Sequence, residues 1–162
     1  MNQHLFRHID IDPARTHVPN GLADDLQKEC KRYDALIGGL GGVDLQVLGI
    51  GRNGHIGFNE PATSFSSKTH VVKLTPSTRQ ANARYFRDFD EVPTSAITMG
   101  IATILSSREI LLLASGEDKD WAIERLLYGE IDESFPASAL KNHPHVTFVA
   151  DKKALSRVLV PS

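Results

Sequence analysis

Asn53, His55 and Glu60 fall within one glycine-rich stretch, Leu48-Gly-Ile-Gly-Arg-Asn-Gly-His-Ile-Gly-Phe-Asn-Glu-Pro61. An imidazole titrates near neutrality and can both take up and release a proton. A carboxylate beside it can orient the ring or tune its basicity, and an amide can hydrogen-bond a hydroxyl or a ring nitrogen. Glycine lets the backbone take conformations closed to other residues and come close to a ligand. The same residues also fit a loop histidine bonded to its own turn, and spacing alone leaves the two readings level. Two cations add to the picture. Lys119 follows Ser115-Gly116 in what reads as the first turn of a helix, where backbone N–H groups favour an anion. Arg84 falls late on a helix begun at Thr75-Pro76 and can offer a forked donor toward the same mouth. Each alone reads as solvated surface charge. With His55 they sketch acid–base handling of a phosphorylated small molecule, and a phosphosugar is the natural candidate.

The elements that must position these groups read as alternating strands and helices. Leu26, Cys30, Tyr33 and Ile37 recur at helical spacing, with Asp24 and Asp25 at the positive end and Gly38-Gly39 after the last turn. Val43–Leu48 is a short apolar run of the kind covered on both faces of a parallel sheet. Thr69–Leu74, Ala96–Met99, Ile110–Ala114 and Val146–Ala150 read as further strands. Thr75-Pro76 caps a helix ending near Phe86. Ile101–Leu105, Glu117–Tyr128, Pro136–Leu140 and Ala154–Val158 read as helices of differing length. The order implies an α/β fold, a mostly parallel sheet with helices on both faces, in a single domain spanning 1–162. Met1–Phe6 opens without a capping signal, as a frayed terminus or a helix cut partway would.

Composition narrows the function classes. A net charge of −2 gives no electrostatic footprint for nucleic acid or an anionic membrane. No apolar run approaches the ~20 residues that span a bilayer, and no secretory leader is legible. Cys30 has no partner for a disulfide, so a reducing cytoplasm is the expected compartment and a buried helix position its expected role. Gly49-x-Gly51-x-x-Gly54 has the spacing of a dinucleotide fingerprint, but Gly57 and Pro61 break the helix that must follow, and no acid ends the next strand. His143 and His145 lack a third ligand at metal spacing. Neither a nicotinamide or flavin cofactor nor a metal is expected.

The run Gly49–Pro61 resembles the signature of the glucosamine-6-phosphate deaminase (isomerase) family. The similarity continues through Thr75-Pro-Ser-Thr-Arg-Gln-Ala-Asn-Ala-Arg-Tyr-Phe86, Val92-Pro93, Ala96–Gly100, Ser115–Lys119 and Pro136-Ala-Ser138. The resemblance implies conversion of glucosamine 6-phosphate and water to fructose 6-phosphate and ammonia, without metal or organic cofactor. It implies that His55 opens the pyranose ring with Asn53 and Glu60 assisting, and that Arg84 and Lys119 hold the phosphate. Some members have Asp at position 53, and an amide there positions without sharing a proton. The implied fold is a three-layer, modified Rossmann-like sheet between helices.

Members of that family carry a further stretch before the point matching Met1, with the first strands, a phosphate-cradling Gly/Ser/Thr turn and an Asp-Glu-Tyr motif whose Asp moves the proton between C2 and C1. None of these has a match here. The resemblance therefore implies a truncated member, lacking the family's first strands, with little deaminase activity alone and an apolar edge at Val43–Leu48 prone to pairing. Thr63, His70 and Val72 stand where members activated by N-acetylglucosamine 6-phosphate tend to carry Ser and basic residues, so no such activation is expected. Two other functions stay open: a 6-phosphogluconolactonase-like hydrolase, against which Asn59-Glu60-Pro61 argues, and a non-catalytic sugar-phosphate-binding remnant. Glucosamine 6-phosphate is the expected small-molecule partner; oligomeric state is not legible, and a homo-oligomer stays open.

Overall fold

The computed structural model describes residues 1–158, the side chains of positions 77 and 81 apart. Helix α1, Leu26–Gly39, begins where the Asp25 carboxylate accepts the Lys28 N–H at 2.9 Å and ends at Leu40. The two glycines thus form its last turn rather than following it. Cys30 is buried on the inner face of α1, as its apolar neighbours at helical spacing require, and burial raises its thiol pKa. Strand β1, Leu45–Gly49, leads into the glycine-rich turn. It pairs in parallel with β4, Glu109–Ala114, which pairs in parallel with β5, Val146–Ala150. Strands β2, His70–Lys73, and β3, Ser95–Thr98, form a separate antiparallel pair.

Three further helices complete the frame: α2, Pro76–Asn82; α3, Ile101–Leu105; and α4, Asp120–Tyr128. Thr75 caps α2 through its side chain, and Pro76 takes the first helical position, as expected. Two helices are shorter than expected, each continued by tight 3-10 geometry. Ala83–Tyr85 follows α2, and Glu117–Lys119 precedes α4, so Arg84 and Lys119 lie on 3-10 turns. Pro136–Asn142 is likewise a 3-10 segment. Ala154–Val158 is a series of turns and not a helix, because one four-residue closure, Leu155 to Asp151, gives way to three-residue closures at Ser156 and Val158. The opening residues form only short 3-10 turns at Phe6–His8 and Pro13–Arg15, without a buried side chain.

The α/β class follows from the parallel strands and the helices packed on them. Leu48, Ile110, Leu112 and Ala114 point into one core with Ile104, Ile123, Leu126, Phe135 and Leu140. The alternate positions point the other way. Leu45 and Val47 are each 52% exposed, as is Val149, so strands apolar on both faces are covered on one. β1 also lies at the edge of its sheet.

A carboxylate tethers the opening residues to α1. Glu29 accepts the Asn20 N–H at 2.7 Å and is gripped by Arg32 through Nε at 2.6 Å and Nη2 at 2.7 Å. The Arg32 bonds, and next the Asn20 N–H, hold its pKa at about 2, below an ordinary 4.5. The folded form thus resists protonation where the unfolded chain accepts it. Its stabilising contribution is complete above about pH 4.5 and is lost as pH falls toward 2. A Glu29→Gln variant is expected to melt below wild type at neutral pH, with the gap closing across that window in thermal melts followed by circular dichroism.

Candidate active site

The turn after β1 is built around the imidazole. Gly51 donates to the His55 carbonyl at 2.9 Å, and Gly54 donates to the Gly51 carbonyl at 3.0 Å. A Cβ on Gly51 would lie 2.2 Å from His55 Nδ1, so only glycine lets the ring rest there. Of the glycines that mimic a dinucleotide fingerprint, Gly51 is thus explained by the His55 ring and Gly54 by the Phe135 ring against it, and no helix follows the turn. Asn59, fully buried, pins the far end by donating to the carbonyls of Ile56 at 2.9 Å and Met99 at 2.8 Å.

Within the turn the three expected groups meet in a defined order. The Asn53 amide nitrogen donates to Glu60 Oε2 at 2.6 Å, and its carbonyl Oδ1 lies 2.7 Å from His55 Nδ1. A carboxylate only accepts, which fixes the amide's orientation and makes Nδ1 the protonated ring nitrogen. Nε2 is then the ring's free acceptor. Glu60 Oε1 stands 3.8 Å from Nδ1, so the carboxylate acts on the ring through Asn53 instead of touching it. Burial lowers the His55 pKa below the usual 6.5; Glu60 opposes this and Lys119 adds to it.

A cavity of about 920 Å³ opens at the carboxyl ends of β1 and β4, and His55, Asn53, Glu60, Arg84 and Lys119 all line it. The five residues singled out by sequence thus share one hollow. Lys119 is placed by the turn that Gly116 opens at φ 95°, and its Nζ lies 3.6 Å from Asp118 Oδ2. Asp118 also accepts Arg52 Nε at 2.9 Å, and that bond, ahead of Lys119, lowers its pKa. Arg84 stacks on the Tyr85 ring at 4.9 Å and donates to its hydroxyl at 3.0 Å, leaving the guanidinium exposed at the cavity rim.

Sequence reasoning missed Arg52, Thr78, Gln80 and Asp118, which also line the cavity. Thr75-Pro76 marks the helix start in the sequence, but nothing local shows that Thr78 reaches Glu60. Elsewhere the His143 ring is structural: it bonds the Ser107 carbonyl and accepts the backbone N–H of His145, whose own side chain is exposed. Among the described residues no three His, Cys, Asp or Glu side chains gather as a metal ion would require.

These features define an α/β protein with a polar small-molecule cavity at the carboxyl ends of neighbouring parallel strands. Residues 1–149 match the family described as glucosamine-6-phosphate isomerases/6-phosphogluconolactonase. The chain belongs to that family. It is 60% identical over 162 residues to a glucosamine-6-phosphate deaminase of Halalkalibacterium halodurans, covering 100% of this chain and 66% of that protein. It is 60% identical over 156 residues to glucosamine-6-phosphate deaminase 1 of Bacillus subtilis, covering 96% and 64%. A solved monomeric glucosamine-6-phosphate deaminase superposes with a TM-score of 0.93 at 60% identity, over 96% of this chain and 65% of that one. A 6-phosphogluconolactonase from Thermotoga maritima, at 20% identity and a TM-score of 0.68 over 93% and 62%, shares the fold. The chain thus spans just under two thirds of the length of these deaminase relatives.

Proposed function

We propose that this chain handles glucosamine 6-phosphate as part of a glucosamine-6-phosphate deaminase, which yields fructose 6-phosphate and ammonia. The observation that carries the reading is the His55–Asn53–Glu60 relay sharing one cavity with Lys119 and Arg84. The chain's own part is ring opening. Nε2 takes the proton from the C1 hydroxyl and returns it to the ring oxygen, so that the C1–O bond of the ring breaks as the aldehyde forms. Lys119 and Arg84 hold the phosphate, and Asn53 keeps the ring in the tautomer that leaves Nε2 unprotonated.

Titration calorimetry with glucosamine 6-phosphate, beside unphosphorylated glucosamine, tests the binding half. The phosphorylated sugar is expected to bind, and Lys119→Ala to weaken it roughly 10- to 100-fold, the worth of one hydrogen bond to a charged group. Equal affinity for the two sugars would remove the phosphate assignment. Hydrolysis of 6-phosphogluconolactone without ring opening of the amino sugar would reassign the reaction.

A further inference from the structure

Glu60 is restrained from a side that the relay does not use. While Oε2 accepts from Asn53, Oε1 accepts the Thr78 hydroxyl at 3.3 Å. Thr78 Oγ1 accepts the Thr75 hydroxyl at 2.9 Å, and the Thr78 N–H donates to Thr75 Oγ1 at 3.2 Å. The hydroxyl protons therefore run from the cap of α2 toward the carboxylate. Nδ1 of His55 has two acceptors on its side, the neutral Asn53 carbonyl in contact and the charged Glu60 oxygen held back at 3.8 Å. A carboxylate in direct contact stabilises imidazolium, whereas a carbonyl does so far less. Where Oε1 rests thus decides whether Nε2 is a free lone pair near neutrality.

We propose that Thr78 is a positioning residue: its hydroxyl holds Glu60 Oε1 off the imidazole, leaving Asn53 as the ring's partner and Nε2 as a bare acceptor. This rests on the ring-opening role given to His55 above. Because Thr75 and Thr78 open the helix that continues into the Arg84 turn, the same element sets the imidazole's partner and carries the phosphate arginine. The charged groups facing the imidazole across the cavity are Glu60 on its own turn, Arg52 beside it, Asp118 and Lys119 after β4, and Arg84 beyond α2. Of these, Thr78 bonds Glu60.

Thr78→Val removes the hydroxyl at nearly constant shape, and Thr78→Ser restores it. The His55 ring proton on Cε1 is followed by NMR against pH in each protein. Exchange between the anomers of glucosamine 6-phosphate reports ring opening, and calorimetry gives its Kd. In Thr78→Val the freed carboxylate closes on Nδ1, so His55 is expected to titrate at higher pH than in wild type. Ring opening at pH 6 is expected to fall roughly three- to tenfold, as one hydrogen bond of ordinary strength implies, with Kd within twofold. Thr78→Ser is expected to recover both readouts. An unchanged or lower titration midpoint in Thr78→Val overturns the proposal, as does failure of Ser to recover it. Absence of ring opening in wild type would count against the function, while the titration still decides the role of Thr78.

Discussion

On the ring-opening role proposed for this chain, His55→Gln is expected to lower the rate of glucosamine 6-phosphate ring opening by about 10²- to 10⁴-fold, the usual worth of a positioned acid–base group. Glutamine can keep a bond to Asn53 but cannot cycle a proton, so substrate Kd is expected to change little. Anomer exchange measured by NMR beside calorimetry separates the two effects. A variant within threefold of wild type in rate would remove His55 from the chemistry. The pH dependence gives a second reading. Burial, only partly offset by Glu60, holds the His55 pKa below 6.5, so the neutral base persists into mildly acidic solution and the acid limb of the profile lies below that value. The stability sign is set by the same shift. Between the folded pKa and 6.5 the unfolded chain binds the extra proton, so acid favours unfolding. The contribution is complete above 6.5, is lost as pH falls through the folded value, and is absent in His55→Gln.

The site was more legible than the frame around it. Glycines at 49, 51, 54 and 57, with His55 among them, announce a backbone folded tightly on a side chain, and Gly51 shows why in the contact its Cβ would make. Thr75-Pro76 declares a helix start through local chemistry, and the cap is present. What the sequence does not carry is partnership between distant segments. Strands β2 and β3 were each recognisable, but their antiparallel pairing apart from the main sheet depends on tertiary contacts. Arg52 and Asp118 stand 66 positions apart and meet only because β1 and β4 are neighbours. Alternating exposure along β1 was hidden for another reason: Leu45, Val47 and Leu48 are all apolar, so no polar residue marks the uncovered face.

Gly54→Ala is expected to be strongly damaging for so small a substitution, because two costs fall on one atom. Gly54 sits at φ 82°, where an L side chain is strained by about 1–2 kcal/mol. Its new Cβ would also lie 2.2 Å from Cδ2 and Cε2 of Phe135. That ring has nowhere to go. It is fully buried, meets Trp121 edge-on with centroids 5.9 Å apart, and lies under the Arg125 guanidinium at 4.8 Å. Overpacking of this kind adds about 1–3 kcal/mol, so a total near 2–5 kcal/mol and a Tm drop of roughly 5–15 °C are expected. The backbone has little freedom to relieve it, since the Gly54 carbonyl accepts the Ala137 N–H at 2.8 Å. A double-mutant cycle isolates the clash. Phe135→Ala alone is expected to cost about 3–5 kcal/mol as a buried aromatic truncation. Adding Gly54→Ala to it should then cost only the φ strain, so the two losses sum to more than the double variant shows. Strict additivity in denaturant melts would mean that the methyl and the ring never compete. The wall joining the glycine-rich turn to the Pro136–Asn142 segment would then yield, and His55 would keep its place without that support.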